Sequence, residues 1–214
     1  MSQYFNYFPK VVYSQDKYTK IVTNIMARIR PVSEYANNSL VFYNYDIQDG
    51  DTPESIAYKY YQDIEKHWII LLTNNIIDPF YDWPLDYKKF NVYLTDKYMD
   101  ATAANLSISV ADVTPQQVLA YTQLTTDHYE KVVISTDLVT GTITTNNYYI
   151  DENTFNTFIP KIYQTSICTI NEYVQRVLIY DNEQSINESK RSIKILNNQY
   201  TSEIFNELKS LLGN

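Results

Sequence analysis

Glycine, cysteine and histidine are scarce in this chain of 214 residues, which has three, one and two of them respectively. With a single cysteine, Cys168, the chain has no internal disulfide framework. The residues around it, TSICTI, are apolar and β-branched, so we expect Cys168 to be a small buried hydrophobe rather than a nucleophile. The few glycines form neither a phosphate-binding loop nor a Gly-x-Ser-x-Gly motif, which argues against the enzymes that use them.

The two histidines lack partners at the spacing that metal sites use. Neither His67 nor His128 has a histidine four residues away or a cysteine partner. His67 precedes Trp68 and is expected to pack in a helix, whereas His128 is expected at a turn or on the surface. Acidic residues are numerous enough for a paired-carboxylate glycosidase, but the cluster at Asp49–Glu54 suits a turn and a helix N-terminus better. We therefore predict no catalytic, cofactor-binding or metal-binding residue, and hence a protein that is not an enzyme.

Charge and hydropathy argue against nucleic acid and membrane partners. The net charge is −8, and the lysines and arginines are scattered rather than clustered. No run of eighteen apolar residues occurs, and the longest apolar stretch, Trp68–Leu72, is too short to span a bilayer. The first twenty residues lack the basic start and apolar core of a secretory signal. We expect the protein to be made in the cytoplasm.

Tyrosine is the abundant residue, with 22 copies. A tyrosine side chain brings a large contact area and a polar tip and loses little entropy on ordering, which suits surfaces that bind partners. AT-rich coding together with half-buried strands would give the same excess, and the composition does not separate these two interpretations.

The stretch Val41–Leu94 has the clearest pattern of secondary structure. Alternation at Val41–Ile47 predicts a strand, and Asp49-Gly50 a turn. Thr52 is a suitable N-cap for a first helix, with Pro53 at its first position. A second helix is predicted from Asp63, and one of its faces carries Ile64, Trp68, Leu71 and Leu72. Asn91–Leu94 is predicted to be a returning strand, which gives a β-α-α-β module.

The whole chain is predicted to divide into four segments: residues 1–38 as an N-terminal arm, 39–95 as the module, 96–180 as an insertion with a β-hairpin, and 181–214 as a C-terminal segment with the terminal helix. The arm is expected either to order against other chains or to pack as strands on its own domain. The insertion has a helix from Pro115 and a hairpin of Tyr129–Ser135 with Thr142–Ile150.

In the C-terminal part, Asn171–Asp181 and Glu183–Lys190 are predicted to be helical, and Ile193–Leu196 a short strand or linker. Ser202–Leu212 is predicted to be an amphipathic helix, and its apolar face consists of Ile204, Phe205, Leu208, Leu211 and Leu212. The fold class is therefore α+β.

The module resembles the LysM fold at its first helix, through the residues DGDTPESIAYKYY. The second helix departs from the usual LysM pattern and continues as HWIILLTNNIIDPFYDWP. That stretch, together with INESKRSIKIL at Ile186–Leu196, is similar to the LysM-like baseplate wedge protein of T-even-type contractile-tailed bacteriophages. The two separated matches occur in the order expected for that family.

The resemblance implies a virion protein of the contractile tail rather than an enzyme. It implies a structural subunit of the baseplate wedge that connects neighbouring wedges and helps close the baseplate ring. Its expected partners are other wedge subunits and the sheath-initiator protein, with multiple copies placed around the tail axis through hetero-assembly and no cofactor.

The resemblance also indicates which residues would contact partners. The DPFYDWP loop and the charged C-terminal segment supply most of the candidates, which are Phe80, Tyr81, Trp83, Glu188, Lys190, Arg191 and Phe205. Large rings in a loop stiffened by two prolines suit a contact patch. The same rings would equally suit a loop folded back over its own module.

Two other functions fit parts of the sequence. A LysM module that binds peptidoglycan or chitin is the first, although the chain has one copy and a bulky second helix. A cell-wall hydrolase is the second, and it would need a carboxylate in a cleft, which the sequence does not identify.

Overall fold

The computed structural model of the chain describes residues 8–15, 18–24 and 41–211, without the side chains of residues 15, 208 and 209. The strands are β1 (Lys10–Gln15), β2 (Tyr18–Thr23), β3 (Phe42–Asp46), β4 (Thr126–Asp137), β5 (Ile143–Ile150), β6 (Lys161–Gln164), β7 (Cys168–Leu178) and β8 (Ser192–Leu196). The helices are α1 (Pro53–Tyr61), α2 (His67–Thr73), α3 (Pro79–Asp82), α4 (Tyr87–Leu106), α5 (Pro115–Leu124), α6 (Glu152–Thr157), α7 (Ile179–Ser189) and α8 (Thr201–Leu211). This mixture confirms the predicted α+β class.

The chain forms two compact units. The first unit combines Met1–Asp86 with Glu188–Asn214, and the second unit is Tyr87–Asn187. The first unit is therefore discontinuous in sequence, with the second inserted into it. The four segments predicted from the sequence have other limits, at residues 38, 95 and 180, and they stay a prediction about domains.

The first unit contains a β-α-α-β arrangement, but a distant segment supplies its second strand. β3 pairs with β8 antiparallel, from Phe42↔Leu196 to Asp46↔Ser192. Ile193, Ile195 and Leu196 are at most 4 % exposed, so β8 belongs to the core. The predicted strand or linker at Ile193–Leu196 is a strand, and it closes the module.

The predicted returning strand at Asn91–Leu94 is wrong, because these residues lie inside the twenty-residue helix α4. The short alternation there suggested a strand. Over a longer window, the buried residues Phe90, Leu94 and Thr102 recur at multiples of four, which places them on one helix face.

The first helix of the module is confirmed, together with its cap. The Thr52 side chain accepts a hydrogen bond from the Ser55 amide, and the Ser55 hydroxyl accepts one from the Thr52 amide, at 3.2 and 2.9 Å. This reciprocal capping box satisfies two amides at the helix start, and Pro53 occupies a position that needs no donor. Gly50, with φ of 91°, allows the predicted turn before it.

The second helix begins four residues later than predicted. Asp63 caps a short 3₁₀ turn, Ile64–Lys66, and α2 follows. Trp68 is buried as predicted, whereas Ile64 lies in the 3₁₀ turn and is 54 % exposed. The buried core of the first unit consists mainly of residues from α1, α2 and β8, and its members are Phe8, Ile47, Ile56, Ala57, Tyr61, Trp68, Ile69, Ile70, Trp83, Ile193, Ile195 and Leu196.

The terminal helix α8 confirms the predicted C-terminal helix. Ile204 and Phe205 pack against the core of the first unit, as their spacing predicts. Leu211 is 57 % exposed, which differs from the prediction that it shares the buried face. Leu212 and the side chain of Leu208 lie outside the described residues.

The N-terminal arm contains a β-hairpin, in which Val11 pairs with Val22 and Val12 with Ile21. Phe8, just before it, is 4 % exposed and belongs to the core of the first unit. The rest of the arm, residues 1–7, 16–17 and 25–38, lies outside the described residues.

The second unit contains a four-stranded antiparallel sheet in the order β5-β4-β7-β6. The predicted hairpin is confirmed, because β4 pairs with β5 from Tyr129↔Ile150 to Thr136↔Ile143. The helix predicted at Asn171–Asp181 is wrong up to Leu178, because these residues continue β7 along its pairing with β4. The predicted helix at Glu183–Lys190 is confirmed as far as Ser189.

Two helices of the second unit form a small core. α5 begins at Pro115 as predicted, with Thr114 as the capping residue. Val118 is fully buried and clusters with Ala103 of α4 and with Val113.

Candidate partner-binding surface

The DPFYDWP loop exposes two aromatic rings. Phe80 is 87 % exposed and Tyr81 is 74 % exposed. Both belong to the single-turn helix α3, in which Pro79 occupies the first position. The rings therefore contribute almost nothing to the core of the first unit.

The backbone of the loop is held at its start by two carboxylates. The Asp78 side chain accepts a hydrogen bond from the Phe80 amide at 2.9 Å. The Asp82 side chain accepts hydrogen bonds from the amides of Ile77 and Asp78, both at 3.1 Å. The amides of Asp78 and Ile77 lower the pKa of the Asp82 carboxyl, since they stabilise its charged form. The loop is thus ordered by its own sequence.

The third ring of the loop faces the core. Trp83 is 8 % exposed, and its indole Nε1 donates a hydrogen bond to the Asp51 carbonyl at 3.0 Å. This bond ties the end of the loop to the turn before α1. Trp83 therefore anchors the loop, and its predicted role as a partner contact stays a prediction.

The charged residues after α7 lie next to the same loop. Lys190 Nζ donates a hydrogen bond to the Tyr81 carbonyl at 2.6 Å. Arg191 donates to the Ile47 carbonyl at 3.1 Å and forms ion pairs with Glu188 at 2.6 Å and Asp49 at 2.8 Å. The hydrogen bond to Glu188 raises the pKa of Arg191. Lys190 and Arg191 thus fasten the C-terminal segment to the turn and loop of the module.

Phe205 is the one candidate residue that lies in the terminal helix α8. It packs edge-on against the Trp68 ring, with a centroid distance of 5.0 Å. It is partly buried against the core of the first unit. Phe205 lies on the apolar face of α8 because it packs against this core. Its predicted contact with a partner stays a prediction.

The prediction that His128 lies at a turn or on the surface is wrong, because it is part of strand β4 and its side chain is only 14 % exposed. It lies within β4 opposite Val177 of β7, with Nδ1 2.7 Å from an Asp127 oxygen and Nε2 3.1 Å from a Glu130 oxygen. Burial lowers the pKa of His128, but the two carboxylates raise it by more than burial lowers it. The net shift of the pKa is therefore upward. The alternation of His128 and Glu130 on one strand face could have predicted this pair.

The buried position of a second acidic site, Glu183, was not predicted from the sequence. Its carboxylate accepts hydrogen bonds from Tyr98 at 2.6 Å, Tyr93 at 2.9 Å and Lys97 at 2.6 Å. Burial raises the pKa of Glu183, but the hydrogen bonds lower it by more. The three donors lie on α4, so the cluster fastens α7 to α4 within the second unit.

In the part of the chain that the structure describes, no group of three His, Cys, Asp or Glu residues could hold a metal ion. A cavity of about 200 Å³ lies between α4 and α5, and its lining has no acid, histidine or cysteine: Asn91, Leu94, Thr95, Pro115, Gln116 and Leu119. None of the described helices has the length and apolar content that crossing a membrane requires.

The exposed aromatic surface of the loop fits a protein that binds other proteins. The chain matches the family model described as Base plate wedge protein 53 over residues 3–211. No curated protein matches the chain.

The match covers nearly the whole chain, and the chain therefore belongs to the Base plate wedge protein 53 family. It is a structural protein of the phage tail baseplate, found in the virion, and it assembles with other baseplate proteins.

Proposed function

We propose that this chain connects neighbouring wedges of a T-even-type baseplate and so helps to close the baseplate ring. Its partners would be other wedge subunits and the sheath-initiator protein. The observation that carries the proposal is the exposure of Phe80 and Tyr81 on a loop that is fixed at both ends. The wedge family supports the proposal.

The loop has the physical properties of a strong protein contact. Buried aromatic residues supply much of the binding energy at interfaces, often 2 kcal/mol or more each. Binding costs less free energy when the contacting loop is already ordered. Here Asp78, Asp82 and Trp83 order the loop without covering the rings.

The order β3, α1, α2 and β8 also supports a LysM-like origin for the first unit. We infer that a compact sugar-binding module has taken up a role in protein contact. The second unit would then be an insertion before the last strand of that module.

Co-purification tests the proposal. The tagged full chain would be co-expressed with the other baseplate proteins of its phage. The wild type would be compared with a variant that combines Phe80→Ala and Tyr81→Ala. We expect at least about a hundredfold weaker association, because two aromatic contacts of about 2 kcal/mol each are lost. Tyr58→Ala, at a tyrosine 57 % exposed on α1, serves as the matched control and should bind normally. Normal binding by the double variant would contradict the role of the loop.

The resemblance of DGDTPESIAYKYY to LysM supports a second candidate, a peptidoglycan- or chitin-binding module. Titration of the full chain with chitin oligomers would test it, and tight binding would favour it over the structural role. Zymography on cell walls would test the hydrolase alternative, for which lysis of the substrate is the supporting result.

A further inference from the structure

Among the residues that the structure describes, the outer strand β5 of the second unit presents an unprotected sheet edge. It runs for eight residues, ITTNNYYI, without a charge, a proline or a glycine. Seven of these residues are exposed, including Ile143 at 66 % and Tyr149 at 77 %. Its register against β4 is continuous along the whole strand. Proteins usually protect such an edge with lysine, proline or a bulge, because it can pair with another strand.

The opposite edge of the same sheet is protected. Strand β6 has four residues, begins directly after Pro160, and carries Lys161. These are the devices that discourage pairing. This contrast favours β5, which pairs with no further strand in the described part of the chain, as the edge that takes another strand.

The backbone of β5 has hydrogen-bonding groups directed outward at alternate residues. The Thr142 carbonyl accepts a bond from the Asp137 amide at 2.9 Å, which directs residue 142 toward β4. In an antiparallel ladder this direction alternates, so Ile143, Thr145, Asn147 and Tyr149 direct their amides and carbonyls to the open edge. A new strand would find four residues with both groups available.

The β1–β2 hairpin of the first unit is a candidate for the strand that pairs with this edge. It is a two-stranded sheet within the described residues, and hairpins of this kind are marginally stable alone. Its apolar side chains are exposed on both faces, with Val12 at 69 % and Ile21 at 72 % on one and Val11 at 41 % on the other. It would gain stability by joining a larger sheet.

The charges also favour pairing of the β1–β2 hairpin with strand β5. The hairpin strands carry Lys10 and Lys20 and no acidic residue. Strand β5 is uncharged, and acidic residues, Asp137 and Asp151, lie close to its two ends. A lysine-bearing hairpin can therefore lie along β5 without repulsion.

We propose that the β1–β2 hairpin of one copy of this chain adds to the β5 edge of a second copy. The contact joins two different surfaces, so each copy both donates a hairpin and accepts one. Head-to-tail contacts of this kind close into rings or continue as filaments. The proposal concerns a surface other than the Phe80–Tyr81 loop, and it does not depend on what that loop binds.

Cross-linking of two labelled forms of the full chain tests the pairing. Both forms carry Cys168→Ser, one also carries Thr145→Cys, and the other, made with a size tag, carries Ile21→Cys. A short thiol-reactive cross-linker is added to each form alone and to the mixture at about 100 µM, where a weak contact is populated. We expect the mixture to give a mixed dimer at least about tenfold above either homodimer. No mixed dimer, or a Thr145→Cys homodimer in excess, would overturn the proposal, the latter by showing that β5 pairs with itself.

Sedimentation at increasing concentration gives an independent test without introduced cysteines. Thr145→Pro removes an outward amide and no bond to β4, and Thr145→Lys places a charge on the edge. Both should weaken self-association at least about tenfold with the far-ultraviolet spectrum unchanged. Ile162→Lys, at a residue 71 % exposed on the protected edge, is the matched control and should have no effect. Equal self-association of the wild type and both Thr145 variants would contradict the pairing.

Discussion

Replacing Trp68 with alanine should strongly destabilise the first unit. Trp68 is 5 % exposed in the core of that unit and packs edge-on against Phe205, with the ring centroids 5.0 Å apart. Truncating a buried aromatic residue removes its transfer free energy and leaves a cavity, which together cost about 3–5 kcal/mol. The Phe205 contact accounts for about 0.5–1.5 kcal/mol of this, from the preferred geometry of the two rings.

The assay is urea unfolding followed by tryptophan fluorescence. The chain has two tryptophans, so Trp83 remains as the reporter in the variant, and both residues lie in the first unit. The signal therefore reports that unit even when the second unfolds separately. Phe80→Ala, at the most exposed ring of the loop, should change the free energy of unfolding by less than about 0.5 kcal/mol. A loss below about 1 kcal/mol for Trp68→Ala would refute its place in the core.

Two further variants test the links that hold each unit together. Asn74→Ala should lower the free energy of unfolding by about 1–3 kcal/mol in the same fluorescence assay, because the Asn74 side chain hydrogen-bonds both the backbone amide and the carbonyl of Lys194 in β8. An unchanged unfolding midpoint would show that this link is dispensable. Glu183→Gln should destabilise the second unit at neutral pH by about 2 kcal/mol, measured by thermal unfolding in far-ultraviolet circular dichroism. Since the folded pKa of Glu183 is lowered, its stabilisation is present above the ordinary glutamate pKa and is lost as the pH falls through the lowered value. The difference between wild type and Glu183→Gln should therefore shrink below about pH 4.5, and a constant difference at all pH values would contradict the role of this charge.

The elements that local sequence determines were predicted well. Thr52 and Pro53 specify the start of α1 through a cap and a restricted backbone, and both act within four residues. The hairpin of β4 and β5 was predicted for the same reason, because its turn lies between the two alternating strands. Within the candidate surface, the two prolines indicated a stiff loop, and the structure holds that loop in place.

The errors concern strand partners and short patterns. Phe42 pairs with Leu196, and nothing local to β3 shows that its partner lies beyond an inserted unit. The alternation at Asn91–Leu94 is too short to separate a strand from a helix, and tertiary packing of Phe90 and Leu94 determines the outcome. The Glu183 cluster joins residues about ninety positions apart, so a pattern in one segment could not have predicted it.

Electron microscopy of the assembled tail baseplate tests the central claim most directly. We predict that this chain lies where neighbouring wedges meet, with Phe80 and Tyr81 buried against another baseplate subunit. A chain that lies within a single wedge, with both rings in solvent, would contradict the account.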